Sequence, residues 1–114
     1  MANREPDTIF GRASWTFLTN HGHVLVCIAT DPEIRGRDIA TRVGITERAA
    51  QAIIADLVAE GYLQRSRVGR RNHYRIAMDR KLRHPLEHSH HIGELLMLAT
   101  PDPDRAPPDP RHDR

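Results

Sequence analysis

The sequence predicts a mainly α-helical fold with one small β-hairpin, an α+β domain whose core is supplied by helices. Three observations carry this expectation. Two apolar stripes of helical period, over residues 37–43 and 47–60, are separated only by Gly44, Ile45 and Thr46. The period changes from 3.6 to two after Gly61, where an arginine-rich stretch alternates around a central glycine. A final helical stripe ends at Pro101.

Residues 1–13 are polar and irregular and are expected to form a flexible N-terminus. Trp15, Phe17 and Leu18 follow. Thr19 or Asn20 can cap a first helix whose inward face holds Val24, Leu25, Cys27 and Ile28. Asp31-Pro32 should end that helix, because proline restricts the residue before it and lacks an amide proton. Ile34-Arg35 is expected to form a short strand. The second helix should run from Arg37 to Val43, with Ile39, Ala40 and Val43 on one face. Gly44 suits the left-handed residue that closes a helix, Ile45 is an apolar plug, and Thr46 is a good N-cap. The third helix should span Glu47 to Glu60. Ala50, Ile53, Ile54, Leu57 and Val58 face inward, and Glu47, Arg48, Gln51 and Ala55 form the opposite face.

The hairpin is expected as a strand over 62–68, a turn over 69–72 and a return strand over 73–77. Leu63, Tyr74 and Ile76 should face the core, with Arg65, Arg67 and Arg75 pointing away. The last helix is expected from Leu86 to Ala99. Ile92, Leu95, Leu96 and Ala99 make its stripe, widened by Met97 and Leu98. The tail over 100–114 is rich in proline and aspartate and is expected to be disordered. Two helices joined by a tight glycine turn and followed by a basic hairpin are the sequence form of a helix-turn-helix with a wing. That motif places one helix in the DNA major groove and a hairpin against the flanking backbone.

With 114 residues the chain is expected to hold one folded domain, over 14–99. The net charge of +2 hides a local imbalance: residues 32–83 hold 12 Lys+Arg against 6 Asp+Glu, and residues 101–114 hold 3 against 4. The basic part is therefore the part expected to fold. Lys81 is the only lysine, so the positive surface is built from arginine, whose planar fork suits phosphate and guanine. The lone Cys27 allows no internal disulfide and reads as a buried structural thiol. The first residues lack a signal-peptide layout, and no run reaches the ~18 apolar residues of a membrane span, so a cytoplasmic protein without membrane contact is expected. There is no Gly-rich phosphate loop, nucleophile elbow or plausible carboxylate pair. This argues against an enzyme, and no cofactor is implied.

The residues RDIATRVGIT, the helix ending DLVAEGYL and the hairpin RSRVGRRNHYRI together resemble the winged helix-turn-helix regulators of the broad MarR-like and ArsR-like grouping. A WTFLTNH start and an RHPLE segment before a GELL helix also resemble a set of short regulators with the same core. The resemblance covers residues 15–99. It implies a DNA-binding regulator whose recognition helix is 46–60, with Thr46, Glu47, Arg48, Gln51 and Ala52 toward the DNA. Ala52 departs from the long polar or basic residue that many relatives place there. The resemblance further implies a homodimer with a terminal dimerisation helix, its interface drawing on Trp15, Leu86, Ile92, Leu95, Leu96 and Ala99.

Chemistry gives these positions definite roles. Arg48 can pair with guanine and Gln51 with adenine in bidentate fashion. Arg65, Arg67, Arg70, Arg71 and Arg75 fall within eleven residues that include Asn72 and no acid, a charge density that asks for an anionic partner such as double-stranded DNA. His84 and His88 are four residues apart and His88 and His91 three apart, a spacing that on a helix can bring two ligands to one metal; helix capping and interfacial hydrogen bonding are the stronger reading of them. Two alternatives therefore stand beside a regulator with its own operator: a winged-helix protein-interaction module, and a sensor of a metal or small-molecule effector. A domain this small is expected to leave little room for a drug-sized pocket except between subunits.

Overall fold

The computed structural model describes residues 15–101. In chain order they form α1 (Asn20–Thr30), α2 (Gly36–Val43), α3 (Glu47–Ala59), β1 (Leu63–Val68), β2 (Arg71–Ile76) and α4 (Ile92–Ala99). The flexible ends expected over 1–13 and past Pro101 lie outside the described residues.

The core is apolar throughout. Val24, Leu25, Cys27 and Ile28 of α1 meet Ile39 and Ala40 of α2, Ala50, Ile53, Ile54 and Leu57 of α3, and Ile92 and Leu96 of α4. Tyr62, Leu63 and Tyr74 close it from the hairpin side. α1 is the central element and touches α2, α3, α4 and β2. Among the described residues no polar or charged residue is buried, so burial here carries little desolvation cost.

Local chemistry sets most boundaries. The Thr19 hydroxyl accepts the Gly22 amide at 3.3 Å and starts α1. Gly44 takes φ 88°, and the Gly44 and Ile45 amides both donate to the Ala40 carbonyl, at 2.8 and 3.0 Å. Thr46 then caps α3 by accepting the Ala49 amide at 3.0 Å. Three residues thus join the two helices, and the Ala40 carbonyl at the end of one and the Ala49 amide at the start of the next find their partners there.

Three expectations are corrected. Ile34-Arg35 forms no strand: the Ile34 amide turns back to Asp31, and a single hydrogen bond from the Tyr74 amide to the Pro32 carbonyl, 2.9 Å, joins this segment to β2. Proline has no amide to return, so the ladder does not propagate. The wing turn is shorter than four residues. Val68 pairs with Arg71, leaving Gly69 (φ 63°) and Arg70 as a two-residue loop. The last helix begins at Ile92 and not at Leu86. Residues 78–82 instead lie beside 90–93, with hydrogen bonds from Gly93 to Met78, Ile92 to Arg80 and Leu82 to His90. The segment 83–89 is a loop closed at that neck. Tyr62 reinforces the neck by donating its hydroxyl to the Lys81 carbonyl at 2.5 Å.

Candidate nucleic-acid interface

The N-terminal half of α3 presents two adjoining exposed rows. Glu47 and Gln51, four residues apart, lie on the side of α2, and Arg48, Ala52 and Ala55 form the second row. Ala50, Ile53 and Ile54 are buried beneath them, which fixes the rotation of the helix about its axis. Every α3 residue the sequence places toward DNA, Ala52 excepted only in its size, belongs to one of these two rows. The small Ala52 and Ala55 leave Arg48 as the only cation on α3.

The wing carries its charge on both faces. Cross-strand partners project to the same side of a two-stranded sheet. Leu63 pairs with Ile76, Arg65 with Tyr74 and Arg67 with Asn72, so these six share one face. Gln64 with Arg75, Ser66 with His73 and Val68 with Arg71 share the other. Arg65 and Arg67 are thus in phase with Leu63. All three arginines, with Arg75 on the other face, are exposed as expected: the core ends at Leu63 and Tyr74, and the same face continues outward as arginine. Asn72 is half-buried, and its Oδ1 accepts from Arg67 Nη1 at 3.5 Å. A Cβ at Gly69 would meet nothing within 4 Å, so the tip stands clear of the rest of the domain.

Among the described residues the wing arginines and Arg48 have no carboxylate counter-charge within ion-pair distance. The ion pairs among the described residues are His21–Asp56 (2.9 Å), His73–Glu33 (3.4 Å), and His90 and His91 with Glu94 (2.7 and 3.3 Å). All involve histidine, and none neutralises a wing arginine or Arg48. The wing is thus an exposed cationic ribbon whose guanidinium groups, apart from the one Arg67 contact to Asn72, keep their donors for another molecule.

The histidines do not converge. His84 lies in the 83–89 loop, where its Nδ1 accepts the Leu86 amide at 3.0 Å, and His88 lies in the same loop. The helical spacing that would bring His84, His88 and His91 to one metal is absent because the helix starts after them. Among the described residues no group of three or more His, Cys, Asp or Glu is placed to hold a metal ion. His91 instead stands at the start of α4, its amide donating to the Glu94 carboxylate at 3.2 Å. Those hydrogen bonds, led by the one from His90, hold the Glu94 carboxyl below the ordinary glutamate value. Cys27 is buried, and burial pushes its thiol up despite the opposing Arg42 charge.

The terminal apolar residues divide into two groups. Ile92 and Leu96 are 4% and 2% exposed and pack within the protomer's own core. Leu86, Met97 and Leu98 are 84–86% exposed, so Met97 and Leu98 do not widen the inward stripe. Trp15 and Phe17 are also exposed and stack edge to face, 5.0 Å between ring centroids. The domain does hold a sizeable concavity, contrary to expectation. A groove of about 490 Å³ runs between α1, the end of α3 and the segment before α4, with Leu57, Tyr62, Leu82 and Leu95 in its lining.

Residues 18–64 match the family of winged helix-turn-helix DNA-binding domains. The match begins just before α1 and ends in β1, so it takes in the whole helix-turn-helix and stops short of most of the wing. No curated protein matches the chain. The fold and the match agree: the helices and the start of the hairpin over residues 18–64 are similar to winged helix-turn-helix DNA-binding domains. Among the described residues no helix is long and apolar enough to cross a membrane.

Proposed function

We propose that the protein is a sequence-specific transcriptional regulator that binds double-stranded DNA as a homodimer, with one DNA-binding unit over residues 14–99. In this reading α3 enters the major groove, where Arg48 and Gln51 meet base edges and Thr46, Glu47 and Ala52 line the approach. Arg65, Arg67, Arg70, Arg71 and Arg75, with Asn72, lie along the backbone or the adjacent minor groove. The observation that carries the reading is the wing: five exposed arginines without a carboxylate partner among the described residues, next to a segment that matches a DNA-binding family. The terminal segments, with exposed Trp15, Phe17, Leu86, Met97 and Leu98, supply the apolar surface for the second subunit.

The test is binding of the purified protein to labelled genomic duplex fragments, including its own promoter region, across a salt series. Retention of one fragment at salt that strips random DNA is the expected result. Equal, steeply salt-sensitive binding to all fragments removes the operator and leaves an architectural role. No binding at low salt removes DNA, and the protein-interaction reading takes its place.

One observation favours a ligand-responsive form of the same regulator. The 490 Å³ groove is within the range of small-molecule sites and reaches the C-terminal end of α3, the recognition helix of this reading. A screen of small apolar compounds by thermal shift, repeated with Leu95→Arg to block the groove, tests it. Hits that persist in the blocked variant place the ligand elsewhere.

A further inference from the structure

Gly36 is the first residue of α2, and its neighbours come from α3. A Cβ built on Gly36 would overlap the Gln51 amide nitrogen and lie 3.5 Å from Gln51 Cδ and 3.6 Å from Glu47 Oε2. The end of the Gln51 side chain therefore rests in a notch that exists because α2 begins without a side chain.

The backbone does not require this glycine. Gly44, Gly61 and Gly69 are the described glycines with positive φ, and Gly36 is not among them. Alanine is also the better helix former. Gly36 is thus needed for space, and the space is filled by a residue of the exposed face of α3. No hydrogen bond ties the Gln51 amide to Gly36 among the described residues, so resting in the notch is a matter of space and uses none of the amide's hydrogen-bonding capacity. Gln51 stays exposed and keeps a donor and an acceptor for the two-point pairing that recognises adenine. A long flexible side chain held on one side loses less rotamer freedom when it binds.

We infer that Gly36 is a positioning residue for DNA specificity: its missing side chain forms the notch that holds the Gln51 amide ready to read a base. The inference rests on the DNA-binding reading above and adds to it a residue of α2 that touches no base. It also makes a separable prediction. Because the atom in the way is the mobile end of a glutamine, a methyl at position 36 displaces that amide without disturbing the packing of α2 on α3.

The experiment compares the full chain with Gly36→Ala, Gln51→Ala and the double variant. The probes are a duplex recovered by selection from random sequence and a random duplex. Gly36→Ala is expected to melt no lower than the parent and to keep its random-duplex affinity and salt slope. It should bind the selected duplex about tenfold more weakly, roughly the loss of one amide–adenine pair. Its base preference should relax at the same base pair as in Gln51→Ala, and the double variant should bind no more weakly than Gln51→Ala. Parent-like affinity and preference in Gly36→Ala, a loss that adds in full to that of Gln51→Ala, or a lowered melting temperature would each overturn the inference. Unchanged preference in Gln51→Ala overturns it while leaving DNA binding intact. Failure of the parent chain itself to bind duplex DNA is the distinct result that overturns the underlying reading.

Discussion

Arg48 stands apart on α3 because its neighbours along the exposed row, Ala52 and Ala55, are too short to reach far from the helix. In the proposed DNA-binding reading it is the one cation of α3 that can pair with a guanine, beside the amide of Gln51. Arg48→Ala should cost about 1–3 kcal/mol on the specific duplex and relax the preference at one base pair. A base-by-base substitution series in a competition assay checks this, and a loss spread evenly over all sequences would make Arg48 a phosphate contact. The same scale shows what a sequence can and cannot reveal. Thr46, Gly44 and Thr19 act on atoms three or four residues away, so their capping roles were legible from spacing alone. Gly36 and Gln51 are fifteen residues apart and meet through the crossing of two helices. No local pattern announces that meeting.

At the scale of elements, the wing and α4 differ in how far their sequence patterns could be trusted. The hairpin was legible as two strands, but its turn came out two residues shorter and two of its arginines fall in phase with the core. Counting Leu63, Arg65 and Arg67 as one alternating row would have shown this. For the wing as a unit, Arg70→Ala combined with Arg71→Ala should weaken specific and random DNA alike. The slope of log K against log salt should become shallower by up to about 0.9 for each phosphate that the variant no longer neutralises. An unchanged slope, measured by titration at several salt concentrations, would detach the tip from the binding surface. For α4, the helix expected from Leu86 would pass through residues 87–91, which hold no apolar side chain, and backbone pairing between 78–82 and 90–93 delays it to Ile92. The Glu94 carboxyl accepts from His90 and from the His91 amide at the new start. Its folded value is depressed, so its stabilising contribution is present above the ordinary glutamate range and is lost as the pH falls through the folded value. Melting curves should therefore separate the parent from Glu94→Gln at neutral pH and converge in acid. A constant gap at all pH values would assign the effect to packing.

For the whole molecule, the described domain is small and its core is made of helices that share one side with α1. Such a core is marginal, and association adds buried area that a single copy lacks. The sequence indicated terminal apolar residues without deciding which stay inside the protomer. The structure keeps Ile92 and Leu96 inside and leaves Met97 and Leu98 on the surface. Met97→Glu with Leu98→Glu should then convert a dimer to a monomer in sedimentation equilibrium while the helical circular dichroism is retained. If the parent is already monomeric at micromolar concentration, the paired-subunit reading falls.

The all-arginine character of the exposed wing has a chemical corollary. Acylation, a common way of switching off a cationic surface, needs an amine, and the wing side chains offer none; the one lysine side chain, Lys81, lies at the neck below the 83–89 loop. Methylation of arginine leaves the charge in place and removes only hydrogen-bond donors. Lysine acetylation therefore cannot neutralise this charge, and in the proposed reading the hold of the wing on DNA would be set chiefly by ionic strength.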